Sequence, residues 1–390
     1  MQGKKCLFLV ANFPHTADIS QPEVLDFVRR KFERDFPWLL VDDYKVVLSG
    51  LGKRWHGIRA QHNIISHAGW RASGWIPLDA VLAWLTHFLD AFKASRRALV
   101  ISIASTPEAG LGIAIARLLY KGRVRLVVRV IGHTASKALY VHGLRWRFRI
   151  LERIEAFVLR QADLVVPMGQ FTTELALNKG ADPAKIVVLP FPVRWADSAR
   201  VEPLALEPYV LFVGRLEKEK GVHILLEAMK TVLQRVPSAR LLIAGDGSYR
   251  RELEAQVECL GLTESALFFG WLGPEELQQL YRKARVLVLP SILEEGLGMV
   301  LVEAGLMGRP VIGSDLGGIR DIIQHGYNGF LVPPGDAKAL AETILEILQD
   351  AELACRMGLA NMEVARAYLR ARDKALEQVR LAIMKWLESR

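Results

Sequence analysis

The sequence predicts an α/β protein of two doubly wound, Rossmann-like domains that face each other across a cleft. Three observations support this fold class. The 390 residues exceed one comfortable hydrophobic core. Short apolar runs alternate with amphipathic stretches along both halves, as strands alternate with helices around a parallel sheet. The stretch from Pro190 to Pro208 contains four prolines and little periodicity, which indicates an interdomain linker. We therefore expect domains over residues 1–195 and 205–365, with a terminal helix over 366–390 that could pack back across the hinge.

The first half begins with the apolar run Lys5–Ala11, which is short enough to predict a buried strand. An amphipathic helix over Glu23–Phe32 and a weaker strand over Asp43–Leu48 follow. Residues 51–77 are rich in Gly, His and Trp and predict only loop or irregular helix. Further strands are expected over Ala98–Ile103, Val124–Ile131, Leu164–Pro167 and Ile186–Leu189. Further helices are expected over Leu78–Phe92, Glu108–Tyr120, Leu144–Arg160 and Thr172–Asn178.

The second half repeats the same alternation, with Gly and Pro at the joints between elements. Its strands are expected over Tyr209–Val213, Ala239–Ala244, Ala266–Phe269, Arg285–Pro290, Val311–Ser314 and Gly329–Val332. Its helices are expected over Gly221–Leu233, Arg250–Leu260, Pro274–Lys283, Met299–Met307, Gly318–His325 and Ala337–Leu348. The tail over Ala351–Arg390 has a helical pattern throughout.

Charge, cysteine content and the lengths of the apolar runs indicate the kind of partner and the cellular compartment. The formal net charge is +9, and the excess of Lys and Arg lies in residues 1–200, so an anionic partner is expected for that half. The three cysteines are odd in number and far apart, which predicts neither a disulfide framework nor a metal cluster and favours a reducing cytoplasm. No apolar run has the length of a signal peptide or a membrane span.

The stretch Ser291–Pro310 contains the most informative pattern in the chain. Glu295 and Glu303 are separated by seven residues, and Gly296 and Gly298 lie between a predicted strand and a predicted helix. Glycines there expose backbone N–H groups to an anion at the positive end of the helix. Two carboxylates can accept hydrogen bonds from hydroxyls on either side of a phosphate, which suits a sugar joined to a nucleotide.

A second pattern opens the second domain, where Arg215 follows a strand and Lys220 lies at a helix start. A lysine at that position is unfavourable unless an anion shares the site, because it opposes the helix dipole. Two fixed cations suit a diphosphate, with Arg bidentate and Lys acting as a point charge. The neighbouring Lys218 and Glu219 are interpreted as solvated.

These residues resemble the family 4 glycosyltransferases of the GT-B fold. The resemblance runs from about residue 209 to 349 and rests on GRLEKEKG at 214–221, AGDG at 244–247, FGW at 269–271, the stretch from Ser291 to Ile312, and GYNGFLVPPGD at 326–336. The first half is similar mainly in its alternation of elements.

The resemblance implies a role for each matching residue. Arg215 and Lys220 would hold the donor diphosphate and stabilise the leaving nucleotide, Glu295 would contact the donor sugar, and Glu303 would accept from the ribose hydroxyls. Further donor-binding residues are expected at Gly214, Gly270, Gly296, Leu297, Gly298 and Met299. His133 follows a glycine at the end of a strand and is expected to touch the sugar. Enzymes of this kind retain the anomeric configuration and need no metal or other cofactor, and the sequence contains no convincing D-x-D metal site.

The first half also departs from the family pattern. The Gly-Gly turn usual after the first strand is replaced by the loop Asn12–Pro22, so Asn12, His15 and Thr16 are only weak acceptor-side candidates. The segment 117–153 is strongly basic, and Arg145, Arg147 and Arg149 alternate with aromatic residues. That pattern fits an anionic membrane surface, although a solvated basic face explains it equally well; nothing else indicates a nucleic-acid partner.

The sequence therefore predicts a retaining, metal-independent hexosyltransferase that moves a sugar from a nucleotide-diphosphate donor to a glycan, lipid-linked or polysaccharide acceptor of envelope synthesis. A UDP-sugar is favoured over a GDP-sugar, and the expected location is the cytoplasm or the inner face of the membrane. Two alternatives stay open, a nucleotide-sugar epimerase on the same fold and a non-catalytic scaffold that binds nucleotide-sugars.

Overall fold

The computed structural model describes residues 6–11, 44–49, 64–66, 85, 88–89, 91–92, 95–96, 99–104, 110–120, 122–132, 145–193, 195 and 207–388. The chain forms two compact units. The first contains Met1–Pro192 together with Asp373–Arg390, and the second contains Val193–Arg372.

The first unit contains a six-stranded parallel sheet in the order β3-β2-β1-β4-β5-β6. Its strands are β1 Cys6–Ala11, β2 Tyr44–Ser49, β3 Ile64–Ser66, β4 Leu99–Ala104, β5 Val124–Val130 and β6 Leu164–Pro167. The order reverses between β1 and β4, as in a doubly wound sheet. Every residue of β4 is buried, which explains why the strand is a continuous apolar run rather than an alternating one.

Three described helices belong to the first unit: α1 Leu111–Leu119, α2 Arg145–Gln161 and α3 Gln170–Asn178. Their buried residues share one core with β4 and β5. Asp163, at the end of α2, accepts hydrogen bonds from Arg117 of α1, from Arg125 and from the backbone N–H of Leu126. Burial alone would raise the pKa of Asp163, but these hydrogen bonds hold it below its ordinary value. The carboxylate therefore stays ionised and neutralises two arginines.

The second unit contains another six-stranded parallel sheet, in the order β12-β11-β10-β7-β8-β9. Its strands are β7 Tyr209–Val213, β8 Arg240–Ala244, β9 Ala266–Gly270, β10 Val286–Leu289, β11 Val311–Ser314 and β12 Gly329–Val332. Its helices are α4 Val222–Arg235, α5 Arg250–Leu260, α6 Pro274–Lys283, α7 Met299–Leu306, α8 Ala337–Gln349 and the first part of α9 Ala351–Glu388, whose residues from Asp373 onward belong to the first unit. Because all six strands are parallel, the loops that follow them meet at one edge of the sheet.

Three predictions for the elements are wrong. Ile186–Leu189 is not a strand, because only Ile186 forms a single bridge to Val165 of β6. Gly318–His325 is not a helix but a short 3₁₀ turn over Gly317–Ile319 followed by turns. Residues 51–77 do contain a strand, β3. The predicted helix over Glu23–Phe32 lies outside the described residues, and the one over Leu78–Phe92 is described only in part.

The long helix α9 is fixed to the second unit by a buried amide network. The Asn361 side chain donates to the backbone carbonyls of Leu301 in α7 and of Arg309, and its oxygen accepts from the Asn328 amide at 2.9 Å. Both asparagines are fully buried. The backbones are also close, since a Cβ at Gly305 would lie 2.5 Å from the Asn361 carbonyl oxygen. This network holds α7 against α9.

We expect Asn361→Ala to lower the free energy of unfolding by about 3 kcal/mol, because the buried partners of the amide lose their hydrogen bonds. Denaturant unfolding measures this change. A matched control is Asn178→Ala at the C-terminal end of α3 in the first unit, where the asparagine is exposed. A loss as small as that of the control would show that the network does not stabilise the unit.

Within the described part of the chain, none of the helices combines the length and the low polarity required to cross a bilayer.

Candidate active site

The loops that follow β7 and β10 meet at the carboxyl edge of the second sheet. The β7 loop contains a 3₁₀ turn over Lys218–Lys220 and continues directly into α4. Gly221 joins the turn to the helix with φ of +71°, and a Cβ there would lie 1.9 Å from the Pro290 carbonyl oxygen at the end of β10. The backbone N–H of Ile292 also donates to the Glu219 carbonyl at 2.9 Å. Only glycine fits both this conformation and this approach.

This contact brings together Lys220 and Glu295, two residues that are 75 positions apart in the chain. The Lys220 Nζ donates to the Glu295 Oε1 at 2.5 Å, and both side chains are 17% exposed. The buried Ser291 hydroxyl donates to the same Oε1 at 2.6 Å. An ammonium has three N–H donors, so the bond to Glu295 leaves donors for a phosphate oxygen. The pair therefore provides a cation and a carboxylate in one partly desolvated place.

A third loop, after β11, supports the backbone of Glu295. The Gly318 N–H donates to the Glu295 carbonyl at 2.8 Å. A Cβ at Gly318 would lie 2.1 Å from the Gly296 carbonyl oxygen and 2.7 Å from the Leu297 Cα. The loop around Gly296 is thus packed directly on another backbone, which fixes the position of its N–H groups.

The N-terminus of α7 faces this same loop. Gly298 is the N-cap, in the left-handed conformation, and no side chain caps the helix. The Leu297 side chain is buried, so only its backbone is available to a ligand. Met299 begins the helix, and its sulfur accepts from the Tyr368 hydroxyl at 3.3 Å. The first-turn N–H groups of α7 can therefore bind an anion.

Glu303 lies one turn further along α7 and is 6% exposed. Its Oε2 accepts a hydrogen bond from the Tyr281 hydroxyl of α6 at 2.8 Å. The Tyr281 ring in turn packs edge-on against Trp195. A buried carboxylate held in this way is well oriented to accept from a hydroxyl of a ligand.

The other side of the β7 loop contacts the end of β8, and the loop after β8 contacts the end of β9. The Gly214 N–H donates to Ala244, and the Gly245 N–H donates to Gly270 at 2.8 Å. Trp271 follows Gly270 and is 79% exposed, so an aromatic ring is available beside this backbone. Arg215 is largely exposed, and its guanidinium lies 3.9 Å from the Glu219 carboxylate. The structure therefore does not place Arg215 in direct contact with Lys220, although one loop contains both.

Several predicted site residues lie, wholly or in their side chains, outside the described part of the chain. His133, Asn12, His15 and Thr16 lie outside the described residues. Arg145 and Arg147 belong to α2, but their side chains are also outside the described part, whereas Arg149 is exposed. No group of three or more His, Cys, Asp or Glu that could hold a metal ion occurs in the parts of the chain that the structure describes. Independence from metal stays a prediction.

The sequence missed two supporting residues. Ser291 belongs to the sequence motif, but only the structure shows that its hydroxyl donates to Glu295 and so orients that carboxylate. Tyr281 gave no signal, because a buried tyrosine on an amphipathic helix resembles any core residue. The arrangement as a whole offers one cation, two carboxylates and a set of backbone N–H groups along a single sheet edge.

We expect Tyr281→Phe to weaken nucleotide binding about tenfold, because a hydrogen bond that orients a charged group contributes roughly 1.5 kcal/mol. Calorimetric titration with the nucleoside diphosphate measures this effect. Tyr249→Phe in the same unit is the matched control. Equal affinities for wild type and Tyr281→Phe would show that this hydroxyl does not orient Glu303 for ligand binding.

Two protein-family models match the chain. "Glycosyl transferases group 1" matches residues 194–363, and "Glycosyl transferase 4-like domain" matches residues 42–192. The chain is 39% identical over 144 residues to the uncharacterized glycosyltransferase MJ1607 of Methanocaldococcus jannaschii, a match that covers 37% of this chain and 36% of that protein. It is 37% identical over 160 residues to the phosphatidyl-myo-inositol mannosyltransferase of Mycobacterium leprae, covering 41% of this chain and 42% of that protein. The chain thus matches less than half the length of these curated relatives.

A solved structure shares the fold over nearly the whole chain. The Anabaena protein Alr3699/HepE, crystallised in complex with UDP, superposes with a TM-score of 0.71 at 21% sequence identity, covering 96% of this chain and 99% of that one. At this identity the likeness concerns the fold alone.

Proposed function

The chain belongs to the family 4 glycosyltransferases of the GT-B fold, and from that membership we propose that it transfers a sugar from a nucleotide-diphosphate donor, with retention of anomeric configuration and without a metal. The observation that carries the proposal is the Lys220–Glu295 pair at the junction of three loops. It combines a cation for the diphosphate with a carboxylate for the sugar. The N-terminus of α7 and the buried Glu303 lie on the same loop and helix.

The proposed chemistry follows from these positions. The bond between the anomeric carbon and the β-phosphate oxygen breaks, and the electron pair stays on the departing diphosphate. An acceptor oxygen bonds to the anomeric carbon, and its proton passes to the departing diphosphate. Lys220 and Arg215 would stabilise the charge that develops on the diphosphate, which in other transferases can be the task of a metal ion. Glu295 would orient the sugar hydroxyls, Glu303 those of the ribose, and His133 would contact the sugar.

UDP is the favoured donor nucleotide, with support from the Anabaena protein, whose structure contains UDP. Gly270 and the exposed Trp271 lie where the resemblance puts the base. For the acceptor, a glycan, polysaccharide or lipid-linked intermediate of envelope synthesis is proposed. The mycobacterial relative is named for a lipid acceptor, phosphatidyl-myo-inositol. The odd number of widely spaced cysteines favours the cytoplasm, including the inner face of its membrane.

The two alternatives predict different products. An epimerase would return the nucleotide-sugar with one inverted carbon, and the bond between sugar and phosphate would have re-formed. A scaffold would bind nucleotide-sugars and change nothing. The Lys220–Glu295 pair favours transfer over both, because it combines leaving-group stabilisation with sugar binding.

A thermal-shift screen tests the donor proposal. Purified protein is heated with UDP, GDP, ADP and TDP and with their common sugars, in buffer that contains a chelator. A rise in Tm with UDP, and a larger rise with one UDP-sugar, is expected because a ligand stabilises the state that binds it. A rise only when divalent metal replaces the chelator would contradict metal independence. No rise with any ligand at concentrations far above a micromolar Kd would contradict the donor site.

A further inference from the structure

The part of the helical layer between residues 85 and 163, on one side of the first sheet, has an unusual outer surface. The helix α3 packs on the same core but exposes Gln170, Glu174 and Asn178 instead. Between residues 85 and 163, every exposed residue that the structure describes is a leucine, an isoleucine, an arginine or a glycine. The apolar ones are Leu85, Leu89, Ile115, Leu118, Leu119 and Ile150, with exposed fractions from 39% to 64%. Single exposed leucines are ordinary, but a face without an exposed acid, amide or hydroxyl among its described residues is not.

These side chains share one side of the molecule because their helices share one core. The helical residues around Phe88 and Ala91, together with α1 and α2, bury their opposite sides in the same cluster against β4 and β5. The ring of Phe92 contacts that of Tyr120, at the end of α1, with 5.2 Å between centroids. In α1, Ile115, Leu118 and Leu119 are three and four residues apart and form one exposed stripe. We call this surface the arginine–leucine face.

Within the described part of the chain, the arginines of the face form no ion pair. Arg96, Arg123, Arg149, Arg153 and Arg160 are all exposed. Arg96 lies over the ring of Phe92, and Arg123 donates to the carbonyl of Ser95, so both are held beside the stripe. Of the described acids in α2 and just after it, Asp163 pairs with Arg117 and Arg125 and the buried Glu155 pairs with Lys179, which leaves the half-buried Glu152 against five exposed arginines. The face is therefore both apolar and positively charged.

We propose that the arginine–leucine face docks on an anionic lipid surface, with the leucines and isoleucines among the acyl chains and the arginines at the headgroup phosphates. Interfacial binding of this kind depends on buried apolar area together with attraction between basic side chains and anionic lipid. A second copy of the chain fits less well, because a two-fold interface would bring the arginines of both copies together. Nucleic acid fits less well too, since phosphate binding gives the leucines no role.

The inference deepens the proposed function only on the acceptor side, because a docked enzyme could reach a lipid-linked acceptor. It does not depend on the donor site. The two ideas can therefore fail separately.

Vesicle sedimentation of the full chain tests the proposal. We expect binding to vesicles that contain phosphatidylglycerol, little binding to phosphatidylcholine alone, and weaker binding at high salt. Leu118→Ser combined with Leu119→Ser should lower the affinity for the anionic vesicles about tenfold. The matched control is Leu267→Ser combined with Leu359→Ser, two leucines of the second unit with similar exposure, 40% and 47%, and no change is expected there. The Tm without ligand should be nearly equal in all three proteins, which shows that the variants are folded.

Three results would overturn the proposal. One is the absence of binding to phosphatidylglycerol vesicles by the wild type. Another is equal binding by wild type and the α1 double variant. The third is a wild-type dimer in sedimentation velocity that the α1 variant converts to monomer, without vesicle binding, since the face would then be an interface between copies.

Discussion

Lys220→Ala is expected to lower kcat/KM for the nucleotide-sugar about a hundredfold. A charge-assisted contact to a leaving diphosphate in a partly desolvated site contributes roughly 3 kcal/mol to the transition state. The lysine is 17% exposed and already held by Glu295, so it loses little freedom when the phosphate binds. Because the contact strengthens as charge develops, the loss should appear mainly in kcat rather than in KM. Steady-state assays of nucleoside diphosphate release measure both parameters.

Lys218 provides the matched control for this experiment. It lies in the same 3₁₀ turn, carries the same charge and is exposed. Lys218→Ala should change kcat/KM by less than about twofold, because an exposed charge is screened by solvent. Equal losses of kcat/KM in the two variants would mean that the total positive charge of the loop, and not a specific contact of Lys220, supports the reaction. Full activity in Lys220→Ala would remove the assignment of the diphosphate to this residue.

Gly318→Ala should have the second largest effect on donor use, although this residue has no predicted contact with the donor. The added methyl would lie 2.1 Å from the Gly296 carbonyl oxygen, and both partners in that clash are backbone. The loop around Gly296 must move, and overpacking of this kind costs about 2 kcal/mol. Affinity for the nucleotide-sugar should therefore fall roughly thirtyfold, as measured by calorimetry.

Gly273→Ala is the control for that substitution. Gly273 also lies in a loop of the second unit without a positive φ, and the nearest atom to its added Cβ is the Glu276 Oε2 at 3.4 Å. Unchanged affinity is expected there. If Gly318→Ala binds the nucleotide-sugar as tightly as Gly273→Ala does, the position of the loop around Gly296 does not determine donor affinity.

The sequence predicted most strands and helices of the second unit correctly, because its parallel strands are buried and read as continuous apolar runs. The bounds of Tyr209–Val213, Val311–Ser314 and Gly329–Val332 agree with those predicted. The predicted helix at Gly318–His325 failed for a physical reason. The Gly318 N–H bonds to Glu295 and Gly317 has φ of +51°, so tertiary contacts replace the helical ones.

The site was only partly predictable. The charges of Lys220 and Glu295 pointed to anion and hydroxyl binding, but no spacing rule reveals that their side chains meet at 2.5 Å. That meeting depends on the approach of Gly221 to Pro290, which is a contact between distant loops. Tyr281 was invisible for the same reason, since its role arises only from its position next to Glu303. Local pattern predicts which residue types a loop offers, whereas strand order determines which loops become neighbours.

Release of nucleoside diphosphate from a panel of UDP-, GDP-, ADP- and TDP-sugars, in the presence of a chelator, tests the central claim most directly. We expect release from one donor class, with UDP favoured, and a loss of about a hundredfold in Lys220→Ala. Release that is unaffected by Lys220→Ala, or the absence of both binding and release with every donor, would contradict a nucleotide-sugar transferase centred on Lys220 and Glu295.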